Sequence, residues 1–146
     1  MRRSLGPLLC ELHAHTRWSD GELTVAELVD LHGRNGFDVL CVTDHVVRRE
    51  ERGRNGAGPS VDEGSFGTYL AEVEQEAERA RETYGMLVIP GLELTFNDAD
   101  PTQAAHAVAI GLRSFVPVDH GIERAISSAS MAGAAGAGCA PAGANS

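Results

Sequence analysis

Phe37-Asp38-Val39-Leu40-Cys41-Val42-Thr43 is an apolar run of strand length that delivers Asp44-His45 at its carboxyl end. Gly33 to Gly36 forms a breaker region just before it, and ahead of that Val25, Leu28, Val29 and Leu31 recur at helical spacing. Thr24-Val25-Ala26-Glu27 opens this stripe as a capping box, in which the threonine hydroxyl and the glutamate carboxylate serve orphan backbone N–H groups. Further back, Leu8 to Leu12 reads as a short buried strand running into His13-Ala14-His15. Strand, helix and strand, with a polar cluster at each strand end, make a βαβ unit and place the chain in the α/β class.

Beyond His45, residues 46–64 are rich in arginine, glutamate and glycine and read as a long mobile loop over the strand ends. Arg48, Arg49, Arg52 and Arg54 lie there among Glu50 and Glu51, a mixture that favours a solvated loop over a phosphate clamp. Phe66, Tyr69, Leu70, Val73, Ala77, Ala80 and Tyr84 then recur at spacings of three and four, predicting an amphipathic helix stopped by Gly85. Met86 to Pro90 is a third strand, and a Pro-Gly turn presents Glu93. After a polar turn at Asn97 to Pro101, Ala105 to Leu112 supplies a fourth strand carrying His106, and Asp119 opens a helix through Ile122 and Ile126. This alternation predicts a mostly parallel sheet. From Ala129 the composition collapses to alanine, glycine and serine, so residues 131–146 are expected to form a disordered tail after a single domain at 1–130.

A chain of 146 residues with 42% hydrophobic content suffices for one core. No stretch approaches the roughly 20 apolar residues of a transmembrane helix, and the short apolar run before Glu11 is not a signal h-region, so a cytoplasmic location and no membrane partner are expected. Cys10 and Cys41, both inside predicted strands, read as buried small hydrophobes rather than half-cystines, and Cys139 is given no role. The net charge of −9 argues against duplex nucleic acid as a partner. Bound divalent cations would still let an acidic pocket receive a phosphate. The chain has no lysine, which excludes Schiff-base, P-loop and carbamylated-lysine chemistry.

The chemistry concentrates at strand ends, where α/β folds gather functional groups. His13 and His15 stand two apart on a strand and share a face, so both imidazoles can reach one metal ion. Asp20, His45, Glu93 and His106 fall at or near the same rim, and a glutamate can give one oxygen to each of two cations. Trp18, between His15 and Asp20, is placed either to flank a substrate base or sugar or to pack at the rim. Asp44 is read as orienting His45 or binding metal weakly, His32 as a helix-end residue serving the dipole, and His120 as no ligand.

Taken together, Glu11 to Gly21, Thr43-Asp44-His45, Pro90-Gly91-Leu92-Glu93 and the His106 strand resemble, in order, the four motifs of the PHP (polymerase and histidinol phosphatase) family. The first resembles that family's Asp-Leu-His-x-His-(Ser/Thr)-x-x-Ser-Asp-Gly. The resemblance spans roughly Leu8 to Ala129. It implies the N-terminal portion of a distorted seven-stranded (β/α)7 barrel, incomplete at the C-terminus, with two or three divalent ions, zinc, manganese or iron. It further implies His13, His15 and Glu93 on one metal, Glu93 and His106 on a second, and Asp20 with His45 on a third, with Glu93, Asp20 and His45 as the catalytic groups.

Two departures qualify the resemblance. Glu11 stands where the family has aspartate, and is read as a longer carboxylate that orients a ligating imidazole. The family's later His-Pro and Asp-x-His motifs do not follow His106, so a truncated chain with fewer metals, an open barrel edge and self-association through it is expected. The reading is a metal-dependent phosphoesterase, impaired by the missing ligands, that uses a metal-activated hydroxide on a phosphate mono- or diester. Its substrate would be a small phosphorylated molecule or nucleotide, and histidinol phosphate or a polymerase-associated role fits the motifs equally. The alternative is a catalytically inactive PHP fragment or regulatory metal-binding module. An amidohydrolase type also begins with His-x-His, but the absence of lysine and the presence of Thr43-Asp44-His45 count against it.

Overall fold

The computed structural model describes residues 6–53 and 58–141. Strands β1 (Cys10–Ala14), β2 (Val39–Val46), β3 (Leu87–Phe96), β4 (Ala105–Ile110) and β5 (Ala135–Pro141) form one sheet in chain order. The sheet curls into a half-barrel, in keeping with a partial PHP-type barrel. Helices α1 (Val25–Arg34), α2 (Phe66–Tyr84) and α3 (Ile122–Met131) share one core with it. That core lies on the sheet face offered by Leu40, Val42, Val46, Leu92, Leu94, Ala107 and Ala109, the alternate positions of three strands. The intervening positions, Thr43, His45, Glu93, Thr95 and His106, share the opposite face.

Local sequence explains the helix ends. Thr24 and Glu27 form the expected capping box, with the Thr24 hydroxyl accepting from the Glu27 N–H and the Glu27 carboxylate accepting from the Thr24 N–H. Gly85 ends α2 in the left-handed region at φ 64°, where a Cβ would be strained. From α2, the buried Tyr69 hydroxyl reaches the carbonyls of Val42 at 3.1 Å and Gly91 at 2.8 Å. The phenol thereby ties α2 to both β2 and β3.

The structure differs from the sequence expectations in five places. The sheet is parallel only across β1, β2 and β3, and β4 and β5 are antiparallel to their neighbours. Residues 97–104 hold no helix and are too few for a parallel crossover, which needs about a dozen or more residues. Pro90-Gly91 is not a turn but the middle of β3, which runs on to Phe96. β1 begins at Cys10 rather than Leu8, and Leu8, Leu9, Leu12 and Cys10 itself are exposed. The loop at 46–64 contains a 3-10 turn at Arg49–Glu51, tied down by Arg49 and Arg52 on Glu63 and by the Asp119 carboxylate on the Arg49 N–H.

The fifth difference is the tail, where Ala135–Pro141 is a strand paired to β4. Composition measures what side chains can bury, whereas this strand pairs through backbone hydrogen bonds that small residues provide equally well. Arg54 and residues 142–146 lie outside the described residues. Among those described, no helix is long and apolar enough to cross a membrane.

Candidate metal centre

Register places the site. His45 on β2 pairs with Glu93 on β3, and Thr95, two residues on, pairs with His106 on β4. Because β4 runs antiparallel, its first residues stand at the same rim as the last residues of β2 and β3, which is how His106 joins the row from a strand's beginning. A register shift in β1 between Glu11 and Ala14 marks a bulge around His13, a device that re-aims side chains at barrel rims.

Glu93 is the centre of the row and is 5% exposed. Its Oε1 lies 2.8 Å from His13 Nε2 and 3.8 Å from His15 Nε2, and its Oε2 lies 2.5 Å from His45 Nδ1 and 3.5 Å from His106 Nδ1. Asp20, at the exposed side, places Oδ1 2.5 Å from His15 Nδ1 and Oδ2 3.3 Å from His45 Nε2. Among the described residues, two sets of three thus offer ligand atoms close enough to hold a cation: His13, His15 and Glu93, and His15, Asp20 and His45. His106 belongs to neither set and meets the cluster through Glu93 and edge-on to the His45 ring.

Hydroxyls hold the rings. Thr43 Oγ1 stands 3.0 Å from His13 Nδ1, and Thr95 Oγ1 stands 2.6 Å from His45 Nδ1 while donating to Glu93 at 3.2 Å. Asn97 Oδ1 faces His106 Nε2 at 3.3 Å, and the Arg48 guanidinium holds the Asn97 carbonyl while stacking on Phe96. Such partners orient imidazoles and select their tautomers.

The electrostatics describe a site that stabilises positive charge. A hydrogen bond to Glu93 raises the His13 pKa above its ordinary value against the opposing effect of burial. Burial disfavours charge on His45 most strongly, but Glu93 and Asp20 together outweigh it and raise that pKa too. Burial would likewise raise the Glu93 value, yet His13 and His45 hold its carboxyl well below the usual range. Asp20 is lowered against its own burial by His45 and His15. His15 Nε2 is buried without a hydrogen-bond partner, beside this anionic carboxylate. An orphaned imidazole nitrogen in a ring of carboxylate and imidazole donors fits a divalent transition metal.

The PHP domain family model matches residues 11–135. The chain belongs to the PHP domain family. This PHP domain is similar in structure to a two-domain protein from Bacteroides vulgatus containing a predicted PHP-like metal-dependent phosphoesterase. The two share 27% identity at a TM-score of 0.58, over 88% of this chain and 34% of that one. Less similar are an amidohydrolase from Chromobacterium violaceum, solved with sulfate and no metal (26% identity, TM-score 0.47, 70% of this chain and 28% of that one), and a provisionally assigned metal-dependent phosphoesterase from Bifidobacterium adolescentis (23%, 0.44, 72% and 28%). No curated protein matches the sequence. The PHP domain described here spans about a third of the length of the Bacteroides protein.

The structure brings all six candidate ligands, His13, His15, Asp20, His45, Glu93 and His106, to one rim. Other expectations are redirected. Glu11 accepts from the His13 backbone N–H at 3.0 Å and leaves the orientation of that ring to Thr43. Asp44 faces away from the cluster and accepts from Thr16 and Ser19. Trp18 packs edge-on to Tyr69 and donates to Glu72 at 2.7 Å, taking the packing role. His32 Nδ1 faces its own helix carbonyl at Leu28, and neither it nor His120 joins a ligand set among the described residues. Thr43 and Thr95 went unread although strand alternation puts them on the ligand face, two residues from His45 and Glu93.

A pH dependence follows for the metal-free chain. Glu93 has a depressed pKa, so its pairing contributes stability above its ordinary 4.5 that is lost as pH falls through the depressed value. His13 and His45 have raised values, so theirs is complete below 6.5 and lost as pH rises through the raised values. In chelator-treated protein, the Tm difference between wild type and Glu93→Gln should therefore be largest between those limits and shrink towards alkaline pH. A difference independent of pH would show that these charges are not coupled.

Proposed function

We propose that this PHP domain is a metal-dependent phosphoesterase site acting on a small phosphorylated substrate or nucleotide. The observation that carries the reading is the buried Glu93 carboxylate, ringed by four imidazoles and held anionic, beside the partnerless Nε2 of His15. His13, His15 and Glu93 would hold one divalent ion, Glu93 and His106 a second, and Asp20 with His45 a third, for which His15 is also in reach. Zinc, manganese and iron all suit this mixture of imidazole and carboxylate. When bound, such ions neutralise phosphoryl oxygens and lower the pKa of an attacking water.

The residues themselves do the rest. His45 spans the buried and exposed sides of the site, with Nδ1 on Glu93 and Nε2 on Asp20, so while the third ion is absent one ring can hold a proton between the two carboxylates. Asp20, on the solvent side, is the carboxylate placed to take a proton from water or return one to a leaving oxygen. Thr43, Thr95 and Asn97 fix the rings so that little reorganisation is needed when substrate arrives.

The test is metal content by plasma mass spectrometry on untagged protein purified without chelators, followed by hydrolysis of p-nitrophenyl phosphate and its diester with zinc, manganese or iron. Retained metal with metal-dependent ester hydrolysis supports the reading. Retained metal with no hydrolysis points to a binding module instead, and no retained metal overturns both.

A further inference from the structure

Asp44 is fully buried on β2, and among the described residues no arginine or histidine is paired with it. A buried carboxylate is tolerated only when donors replace its lost hydration. Here all three come from one short turn: the Thr16 backbone N–H at 2.7 Å, the Thr16 hydroxyl at 2.8 Å and the Ser19 hydroxyl at 2.6 Å. The turn is itself closed on Thr16, whose carbonyl accepts from the N–H groups of Ser19 and Gly21. It is also tight, since a Cβ on Gly21 would lie 2.4 Å from the His15 carbonyl oxygen. Thr16 to Gly21 is therefore one stiff unit anchored to β2 through a single carboxylate.

Asp20 rides on that unit. Its side chain is 59% exposed, so packing does little to fix it, and its place against His15 and His45 is set by the backbone beneath it, with the Ser19 hydroxyl 3.4 Å from its Oδ1. Glu93 and the rings of His13 and His45 are instead positioned from the strands, with Thr43 and Thr95 as their supports. We propose that Asp44 is a positioning residue for one end of the site, clamping the Thr16 to Gly21 turn so that Asp20 meets His15 and His45. Its loss would then weaken cation binding at Asp20 and spare the cluster around His13 and Glu93. The proposal rests on the cation-binding reading of these ligands.

Two readouts on the chelator-treated full chain keep the two ideas apart. Proton NMR would follow the imidazole N–H that His15 shares with Asp20, assigned by its loss in Asp20→Asn, and calorimetry would follow titration with zinc alone. Asp44→Asn is expected to lose that proton signal and to match Asp20→Asn in zinc binding, about tenfold or more weaker at the Asp20-dependent step, with the Glu93-dependent step unchanged. A variant that keeps the signal and the wild-type isotherm overturns the proposal. Should Asp44→Asn not fold, Thr16→Val removes one donor to Asp44 without touching Asp20 and should weaken both readouts, whereas Thr16→Ser keeps both Thr16 donors and should match wild type. Thr16→Val indistinguishable from wild type overturns the proposal as well. If wild type binds no zinc, the cation reading fails, and the proton signal still decides the role of Asp44.

Discussion

Glu93→Gln is expected to strip the PHP domain of its divalent ions and, with them, of any ester hydrolysis. The substitution keeps the shape of the side chain and removes the charge that four imidazoles surround. An amide has one acceptor oxygen and two N–H donors, so against His13 Nε2 at 2.8 Å and His45 Nδ1 at 2.5 Å at least one contact turns from attraction to competition. Removing one partner from a buried charged pair costs about 3–5 kcal/mol, which in binding terms is on the order of 100-fold or more. His32→Ala is the matched control, because that ring sits on its own helix carbonyl and against Phe37, away from the cluster. Plasma mass spectrometry on both variants decides the matter, and equal metal content would remove Glu93 from the centre of the site.

Much of the architecture could be read from local signals because those signals are themselves local. The stripe from Phe66 to Tyr84 and its glycine stop coincide with α2, and the capping box at Thr24 opens α1. The six candidate ligands were legible because each lies in or beside an apolar strand. What escaped the sequence depends on contacts between distant segments. Thr43 looks like the end of an apolar run until β1 brings His13 beside it. Asp44, next to His45, looks like a ligand, yet adjacent strand residues face opposite ways, and alternation alone could have sent it away from the cluster. The direction of β4 was also legible in principle, since the segment between Phe96 and Ala105 is too short for a parallel crossover. β5 was not, because alanine and glycine leave no periodic pattern and the strand exists by pairing with β4.

The same long-range logic makes Gly91→Ala the second large expectation, for a residue that touches no ligand. Gly91 lies in the extended run of β3 and needs no unusual φ, so the demand for glycine is spatial. A Cβ there would lie 2.3 Å from the carbonyl oxygen of Ala109 on β4 and 3.2 Å from the Thr43 methyl on β2. The first contact is with backbone and cannot be relieved by a side-chain rotation, so β4 must move away. β4 carries His106, and Thr43 supports His13, so a shift at one glycine disturbs both flanks of Glu93. Overpacking of this kind costs about 1–3 kcal/mol and sometimes more. Urea unfolding should show that loss together with weaker zinc binding. Gly67→Ala, where a Cβ would meet nothing within 4 Å, should instead be neutral or stabilising by up to about 1 kcal/mol. If Gly91→Ala unfolds and binds zinc like wild type, β4 does not approach β3 as closely as the structure has it, and the glycine beside Glu93 answers to some other demand.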